Sequence, residues 1–259
     1  MNIVVCVKQV PDVDNVKWTK ENNLDRSAML TKLNPHDEWA LDYAIKIKNQ
    51  FKNVSVTALT MGPNQAKEIL DYALAKGATR AILLTDKLFA GSDTLATAKI
   101  LSSAIKKYVP DFDLILTGQI AQDGDTAQTP ASMAQLLDIK SVSNIIDIKN
   151  ADKNTAIVAK KNKESIDILE LSTPCLIAIQ QEMKESHLPK IEDYAQAQKS
   201  TIEVYGAQDI DLDKSEIGIL GSPTMVYKAY RPEVTKNAQE IKEDFAKEVL
   251  NFIRSCANE

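Results

Sequence analysis

The stretch Phe112-Asp113-Leu114-Ile115-Leu116-Thr117, followed by Gly118-Gln119-Ile120-Ala121-Gln122-Asp123-Gly124-Asp125-Thr126-Ala127-Gln128-Thr129, decides the fold. The first part is an apolar run, typical of a buried strand, and the second part is a small polar loop. The residues that follow, Ala131-Ser132-Met133-Ala134-Gln135-Leu136-Leu137, are predicted to form a helix. Strand, loop and helix in this order predict one unit of an α/β fold.

The same loop has features of a phosphate site. A helix N-terminus offers free N–H groups and a partial positive charge, and Gly118 and Gly124 permit close approach of the backbone. Asp123 and Asp125 argue against an anion, because their carboxylates repel it unless they turn to cap backbone N–H groups. From these residues alone, a nucleotide loop and an ordinary capped loop are equally supported.

Strand-like and helix-like segments alternate from residue 2 to about residue 137. The strands are predicted over 3–7, 54–59, 81–84 and 112–117, and the helices over 37–48, 63–74, 93–107 and 131–137. Parallel strands joined by helices build a sheet that is covered on both faces. We therefore predict a doubly wound, Rossmann-like α/β sheet.

The pattern changes near residue 140. Three strands joined by short polar links are predicted over 141–148, 155–159 and 165–171, and a further buried strand over 174–179. From residue 180 to about residue 230 the apolar pattern weakens, which indicates an extended segment lying on another surface; a helix is predicted over 237–253. We predict a nucleotide-binding α/β domain with a small antiparallel β addition over 1–180, and a partner-contacting C-terminal arm ending in a helix over 181–259.

Composition excludes several classes of function. The 259 residues carry a net charge of -5, which gives no case for nucleic-acid binding. The first residues resemble a strand rather than a signal peptide, and no run reaches membrane-spanning length, so we expect a cytoplasmic protein without membrane insertion. Cys6, Cys175 and Cys256 are far apart in sequence, and Cys6 and Cys175, which lie in strand-like runs, are expected to be buried free thiols; His36 and His187 form no Cys/His cluster, so no zinc site is expected.

Polar loops follow the predicted strands, at the edge where doubly wound sheets bind their ligands. They include Lys8-Gln9-Val10-Pro11-Asp12, Thr60-Met61-Gly62-Pro63 and the stretch from Thr85 to Thr94; Asn34-Pro35-His36-Asp37 should lie near the same edge. None of them carries a G-x-G-x-x-G motif or a P-loop, and no Ser-His-Asp or Cys-His set is apparent. We predict a nucleotide pocket without a catalytic residue, in which the bound molecule supplies the chemistry.

An ordered series of motifs identifies a family. The series is Val5-Cys6-Val7-Lys8-Gln9-Val10-Pro11, Asn34-Pro35-His36-Asp37-Glu38-Trp39-Ala40, Thr60-Met61-Gly62-Pro63, Ala73-Leu74-Ala75-Lys76-Gly77-Ala78, Phe89-Ala90-Gly91-Ser92-Asp93-Thr94-Leu95-Ala96-Thr97 and the loop over 118–129. Along most of its length, the chain resembles the β-subunit of electron transfer flavoprotein.

The resemblance implies a heterodimer with an α-subunit and an adenine nucleotide in this chain. Members that move single electrons hold structural AMP here. Electron-bifurcating members hold a second FAD, which NADH reduces and which splits the electron pair between a high-potential and a low-potential acceptor such as ferredoxin or flavodoxin. Because Ala90-Gly91-Ser92-Asp93-Thr94 resembles the bifurcating type, FAD is favoured and AMP is the alternative.

The resemblance also implies which residues contact the cofactor. They are Cys6, Asn34, Pro35, His36, Asp37, Met61, Gly118, Gln119, Ile120, Ala121, Gln122, Asp123, Gly124, Asp125, Thr126, Ala127, Gln128 and Thr129, with Lys8, Ala90, Gly91, Asp93 and Thr94 added for FAD.

Two stretches depart from the family pattern. Lys184-Glu185-Ser186-His187-Leu188 stands where an Asn-Glu-Pro-Arg-Tyr-like stretch is usual, and Ala197-Gln198-Lys199-Ser200 replaces a lysine-rich segment. Ile191 stands where a leucine anchor is expected. Either a flavin dehydrogenase other than the usual acyl-CoA dehydrogenase docks around Ile191, or a surface loop has drifted.

Two other classes of protein are alternatives to an electron-carrier subunit. An adenylate-transferring enzyme is suggested by the pyrophosphate-loop character of Ala90-Gly91-Ser92-Asp93-Thr94, although that loop should follow the first strand. A nucleotide-binding regulatory domain of the stress-protein kind is opposed by the long stretch after Gln180.

Overall fold

Alternating strands and helices build a large sheet, as predicted. The computed structural model describes residues 1–12, 30–180, 186, 188–225 and 245–256. The described strands are β1 (Asn2–Cys6), β2 (Gln9–Pro11), β3 (Thr31–Leu33), β4 (Ser55–Met61), β5 (Arg80–Leu84), β6 (Leu114–Gly118), β7 (Lys140–Ala151), β8 (Thr155–Lys161), β9 (Ile166–Ser172), β10 (Cys175–Ile179) and β11 (Ile202–Tyr205). The described helices are α1 (Pro35–Gln50), α2 (Lys67–Lys76), α3 (Thr94–Tyr108), α4 (Thr129–Leu137), α5 (Ile191–Ala197) and α6 (Phe245–Cys256).

The order of the strands sets the position of the candidate site. The nine-stranded sheet runs β11-β5-β4-β1-β6-β10-β7-β8-β9. The chain moves outward from β1 to β4 and β5, and then crosses back to β6 on the other side of β1. This reversal is a topological switch point, and the crevice outside the carboxyl ends of β1 and β6 is where such sheets bind ligands.

Residues of each strand alternate between two buried layers. Val5 packs with Leu41 of α1 and Leu70 of α2 on one face of the sheet. Val4 packs with Ile100 of α3 and Met133 of α4 on the other face. Because successive strand residues point to opposite faces, both faces carry apolar side chains, and the predicted doubly wound arrangement is confirmed.

The sequence signals at two helix ends are also confirmed. Gly77 ends α2 with a φ of 116°, a left-handed conformation that favours glycine. Asp93 caps α3, because its side chain accepts hydrogen bonds from the N–H groups of Leu95 and Ala96.

The predicted antiparallel addition extends the main sheet. β7 pairs antiparallel with β8, and β8 pairs antiparallel with β9, while β10 returns between β6 and β7 and is parallel to both. The free thiols of Cys6 and Cys175 are buried in β1 and β10, as expected.

Four described elements escaped the sequence-based prediction: the strands β2 and β3, which pair antiparallel, the helix α5 and the strand β11. β11 joins the edge of the sheet beside β5, where Arg80 pairs with Glu203 at 2.6 Å. Since β11 has only four residues and depends on a partner far away in sequence, its local pattern gives a weak signal.

The weakly patterned stretch lies against α3 of the same unit. The ring of Tyr205 stacks on Tyr108, with 3.8 Å between centroids, and Lys99 pairs with Glu216 at 3.1 Å. The chain therefore runs back along α3 from its carboxyl end towards its start. Over 202–205 this stretch extends the sheet beside β5, and from Tyr205 to Thr224 it runs along α3.

The chain divides into two compact units, Met1–Met225 and Val226–Glu259. In the second unit the structure describes α6, whose apolar side chains Phe245, Leu250 and Ile253 are exposed. Residues 237–244 of the predicted C-terminal helix lie outside the described residues. The division predicted at residue 180 stays a prediction. None of the described helices is long and apolar enough to span a membrane.

Replacement of a central core residue should show how far the sheet stabilises the unit. Leu116→Ala in β6 removes a fully buried side chain, so we expect the free energy of unfolding to fall by about 2–5 kcal/mol. The control Ile166→Ala, at a β9 side chain that is 60% exposed, should change it by less than about 0.5 kcal/mol. Urea unfolding followed by circular dichroism measures both, and equal losses would contradict this assignment of the core.

Candidate functional site

One carboxylate joins the two strand ends at the switch point. Asp37, in the first turn of α1, is buried. Its Oδ2 accepts a hydrogen bond from the N–H of Lys8 at 2.8 Å, and its Oδ1 accepts one from the N–H of Gly118 at 2.9 Å. The carboxylate therefore links the loop after β1, the start of α1 and the end of β6.

A second side chain completes this connection. Asn34 is fully buried, and its Nδ2 donates to the carbonyl oxygen of Ile120 at 2.9 Å. Its Oδ1 accepts from the N–H of Gln122 at 3.1 Å, and its own N–H donates to the carbonyl oxygen of Lys8 at 2.9 Å. An amide side chain can donate and accept at once, so Asn34 holds both Ile120 and Gln122 of the loop after β6.

Gly118 is required for contact with α1. A Cβ atom there would lie 2.4 Å from Oδ1 of Asp37 and 2.6 Å from Cβ of His36. Gly124 differs, since a Cβ there would meet no atom within 4 Å. The close backbone approach expected at Gly118 is thus an approach to the start of α1, whereas Gly124 lies at an open part of the loop.

The loop before α4 presents unpaired backbone N–H groups. Gly124 and Asp125 donate to the carbonyl oxygen of Ala121, but the N–H groups over 126–129 donate to no acceptor in the part of the chain that the structure describes. Asp125 and Ala127 have positive φ values of 47° and 54°. Free N–H groups at a helix start form an anion-binding arrangement.

Two helix starts meet at this point. The hydroxyl of Thr94, the first residue of α3, donates to Oε1 of Gln128, the residue before α4, at 3.0 Å. The partial positive charges of two helix dipoles therefore lie side by side above the strand ends. This convergence also places the loop over 90–94 next to the loop over 118–129.

A buried hydroxyl group lies beneath them. Thr117 pairs in register with Cys6 across β6 and β1, so both side chains point to the α3 and α4 face. Its Oγ1 is buried and has no hydrogen-bond partner among the described residues. Sequence analysis missed Thr117, although its spacing from the buried Ile115 was a usable signal. An unsatisfied buried hydroxyl suits a polar ligand at this position.

Three side chains near the strand ends, Cys6, His36 and Met61, offer uncharged surfaces. Burial, and then the charge of Asp37, raise the pKa of the Cys6 thiol, so it stays protonated. Burial lowers the pKa of His36, whose ring centroid lies 4.3 Å from that of Trp39. Met61 packs against the same buried layer as Cys6. Neutral side chains fit the binding of a base or ring, and they offer no activated nucleophile.

The carboxylates of Asp123 and Asp125 were expected to repel an anion, and one of the two is paired with a cation. Asp123 pairs with Lys8, with 2.7 Å between Oδ1 and Nζ, so its charge is neutralised by the loop after β1. The carboxylate of Asp125 accepts no hydrogen bond from, and forms no ion pair with, a described residue, whereas its backbone N–H donates to Ala121. The ion pair is part exposed, so it is screened by solvent and its net contribution to stability is small.

A small cavity flanks the loop on the side of β10. It has a volume of about 150 Å³, and its wall includes Gln119, Ala127, Pro130, Leu176 and Ala178. Cys6, Met61 and the loop over 90–94 are not part of this wall. The described part of the chain contains no group of three His, Cys, Asp or Glu side chains arranged for a metal ion.

The predicted contacts form two groups. The larger group lies at the switch point and comprises Cys6, Lys8, Asn34, Pro35, His36, Asp37, Met61 and the residues from Gly118 to Thr129. Ala90, Gly91, Asp93 and Thr94 lie at the start of α3, after β5 rather than β1, and join the first group through Thr94. An adenylate-transferring enzyme would need that loop after the first strand.

Comparison with known proteins identifies the family. A family described as "Electron transfer flavoprotein domain" matches residues 23–209. The chain belongs to the electron transfer flavoprotein family. The predicted resemblance to its β-subunits is confirmed, since the chain is similar to the β-subunit of electron transfer flavoprotein from Clostridium acetobutylicum, with 37% identity over 264 residues that cover 100% of this chain and 98% of the relative.

Other relatives of this electron transfer flavoprotein chain carry more specific names. The "Caffeyl-CoA reductase-Etf complex subunit CarD" from Acetobacterium woodii is 36% identical over 260 residues, covering 100% of this chain and 98% of the relative. "Protein FixA" from Azotobacter vinelandii is 36% identical over 263 residues, covering 99% of this chain and 93% of the relative. The chain is therefore a β-type electron transfer flavoprotein subunit with a role in electron transport.

The two loop glycines allow a matched test. Gly118→Ala brings a methyl group against Asp37 and His36, so we expect a loss of about 1–3 kcal/mol in the free energy of unfolding. Gly124→Ala should change it by less than about 1 kcal/mol, because its Cβ enters open space. Urea unfolding of both variants measures the difference. Equal stability of the two variants would contradict the packing described for Gly118.

Asp37 should produce a pH dependence of stability. Burial raises its pKa to about 7, although hydrogen bonds from Asn34, Lys8 and Gly118 oppose the shift. Because this value lies above the unfolded pKa of about 3.9, the contribution of Asp37 is complete below that pKa and is lost as the pH rises through about 7.

The matched variant for this test is Asp37→Asn, which cannot titrate. The wild type should lose free energy of unfolding relative to the variant between about pH 4 and pH 7. Urea unfolding at several pH values gives this difference, in which the other titrating groups cancel. A difference that stays constant over this range would show that Asp37 remains ionised in the folded chain.

Proposed function

We propose that the chain is the β-subunit of a heterodimeric electron transfer flavoprotein and that its switch-point site holds an adenine nucleotide. The observation that carries this proposal is the meeting of the starts of α3 and α4, joined by Thr94 and Gln128 at 3.0 Å. Two helix dipoles, the N–H groups over 126–129, which have no acceptor among the described residues, and a sequence without a P-loop together suit a phosphate held by the backbone.

The residues beneath these helix starts suit the rest of a nucleotide. Cys6, Met61 and His36 offer uncharged surfaces for a base. The buried hydroxyl of Thr117 needs a hydrogen-bond partner, which a sugar hydroxyl or a ring nitrogen supplies. Asp37 and Asn34 engage their polar side-chain atoms with backbone groups, so we infer that they shape the pocket more than they bind the ligand through those atoms.

We infer that the nucleotide is FAD rather than AMP. The loop over 90–94 lies beside the loop over 118–129, so it offers a further surface next to the start of α4, which FAD can use and AMP does not need. When bound, FAD supplies electron exchange with NADH and passes the electrons to two acceptors of different potential, one of them of the ferredoxin or flavodoxin class. Electron bifurcation is thus the activity that we propose for the heterodimer.

The nucleotide content tests this proposal directly. We expect the chain, coexpressed and purified with its α-subunit, to release two FAD per heterodimer on denaturation, as measured by chromatography. One FAD accompanied by AMP would contradict bifurcation and would support the alternative of a non-bifurcating electron carrier with structural AMP. One FAD and no AMP per heterodimer would mean that this chain binds no adenine nucleotide, and it would contradict the proposed site.

We also propose that a flavin dehydrogenase docks at α5. Ile191, the first residue of α5, is 88% exposed, and Leu188 just before it is 77% exposed. α5 is supported from below by α2, where Tyr72 lies 6.4 Å from Tyr194 between ring centroids. An exposed apolar pair on a supported helix suits a protein contact.

Ile191→Ala should separate docking from cofactor binding. We expect electron transfer with the partner dehydrogenase to slow about tenfold, because truncation of an exposed apolar anchor costs about 1–2 kcal/mol of binding. The nucleotide content should not change. Ile168→Ala, on the exposed face of β9, is the control and should leave the rate unaltered. A normal rate with Ile191→Ala would exclude this docking position.

The cellular location stays a prediction. We propose a cytoplasmic protein, and the buried free thiols of Cys6 and Cys175 agree with a reducing compartment.

A further inference from the structure

A distant segment of the chain holds the loop over 90–94 in place. Thr224 donates two hydrogen bonds to Oδ2 of Asp93, from its N–H at 3.0 Å and from its hydroxyl at 2.7 Å. The hydroxyl of Ser222 accepts a hydrogen bond from the N–H of Asp93 at 2.8 Å and donates one to the carbonyl oxygen of Gly218 at 2.7 Å. We call the residues from Gly218 to Thr224 the clasp segment.

The two oxygens of Asp93 serve different elements. Oδ1 accepts from the N–H groups of Leu95 and Ala96, both at 3.0 Å, and so caps α3. Oδ2 accepts from Thr224. Because the cap and the clasp use separate oxygens, the contacts of the clasp segment can be removed while the cap of α3 stays intact.

The backbones of the loop and the clasp segment approach each other closely. Gly91 has a φ of 74°, and a Cβ there would lie 2.4 Å from Cγ1 of Ile219. Gly218 has a φ of 57°, and a Cβ there would lie 2.0 Å from the carbonyl oxygen of Leu88. Both positions need a glycine, because Gly91 makes room for the side chain of Ile219 and Gly218 lies against the backbone of Leu88, so the contact is more than a set of surface hydrogen bonds.

The loop held in this way borders the candidate nucleotide site. Thr94 contacts Gln128 at the start of α4, next to the unpaired N–H groups over 126–129. A nucleotide monophosphate would end at these N–H groups. A dinucleotide would continue past them along the loop over 90–94, and its binding would therefore depend on the conformation of that loop.

We propose that Ser222 and Thr224 are positioning residues that hold the loop over 90–94 for the part of FAD absent from AMP, and that they thereby set the preference for FAD over AMP. This inference rests on the proposed function, because it needs an adenine nucleotide at the switch point. It assigns a role in cofactor selection to a segment that follows Asp93 by 131 residues in the sequence.

The test uses the heterodimer with the double substitution Ser222→Ala and Thr224→Val, which removes both hydroxyls and keeps the volume of residue 224. We expect the ratio of FAD to AMP affinity at the β-subunit site to fall about tenfold or more, since the two hydrogen bonds between these hydroxyls and Asp93 are lost. The released nucleotides should change from two FAD to one FAD and one AMP. Affinity for AMP itself should stay within about twofold.

Hydrogen exchange supplies a second readout, which does not need a bound cofactor. In the variant, the N–H of Asp93 should exchange faster, because it loses Ser222 as an acceptor, whereas the N–H groups of Leu95 and Ala96 should keep their protection. The control Asp211→Asn removes an ion pair with Lys107 from the same covering stretch, far from the loop, and should alter neither readout.

Each outcome supports or contradicts the positioning role of Ser222 and Thr224. A variant that still holds two FAD, or one in which FAD and AMP affinity fall together, overturns the positioning role. The proposed function is judged on the wild type, because a wild-type heterodimer with AMP contradicts both that function and this inference. Two FAD in the wild type with one FAD and AMP in the variant supports both.

Discussion

The candidate site depends on the carboxylate of Asp37, which accepts hydrogen bonds from the N–H groups of Lys8 and Gly118. Strand order brings the ends of β1 and β6 together, but it does not fix the loops that follow them. A buried carboxylate does so, because one of its oxygens accepts a hydrogen bond from the loop after β1 and the other accepts one from the end of β6. The other contacts of the switch point, those of Asn34 included, build on this link.

The same link explains why the groups that hold the loops differ from the groups left to contact a ligand. Asp37 and Asn34 face backbone groups and hold the loops, whereas the surfaces left for a ligand include backbone N–H groups, neutral side chains and one buried hydroxyl. Neutral donors with a fixed geometry hold a phosphate without a competing titration. A site of this kind suits a protein whose bound molecule does the chemistry.

Much of the fold could be predicted from local pattern. The strands around the switch point are apolar and β-branched, and Gly77 and Asp93 end and cap their helices as expected. β11 could not be predicted, because four residues are stabilised by Arg80 and by β5, which are far away in the sequence. The close backbone approach at Gly118 was predicted, but the group that approaches it was not. A single sequence does not show that Asp37 fills the space beside this glycine.

The late position of β11 also has a consequence for synthesis of the chain on the ribosome. β5 is an early strand, yet its outer neighbour pairs Ile202 with Ala81 and is made much later. A nascent chain that ends before Ile202 has an unpaired edge at β5 and an α3 whose covering stretch does not yet exist. Exposed strand edges and apolar helix surfaces are the features that chaperones protect and that aggregation exploits. The growing chain must therefore remain soluble in this incomplete state until its last quarter leaves the ribosome.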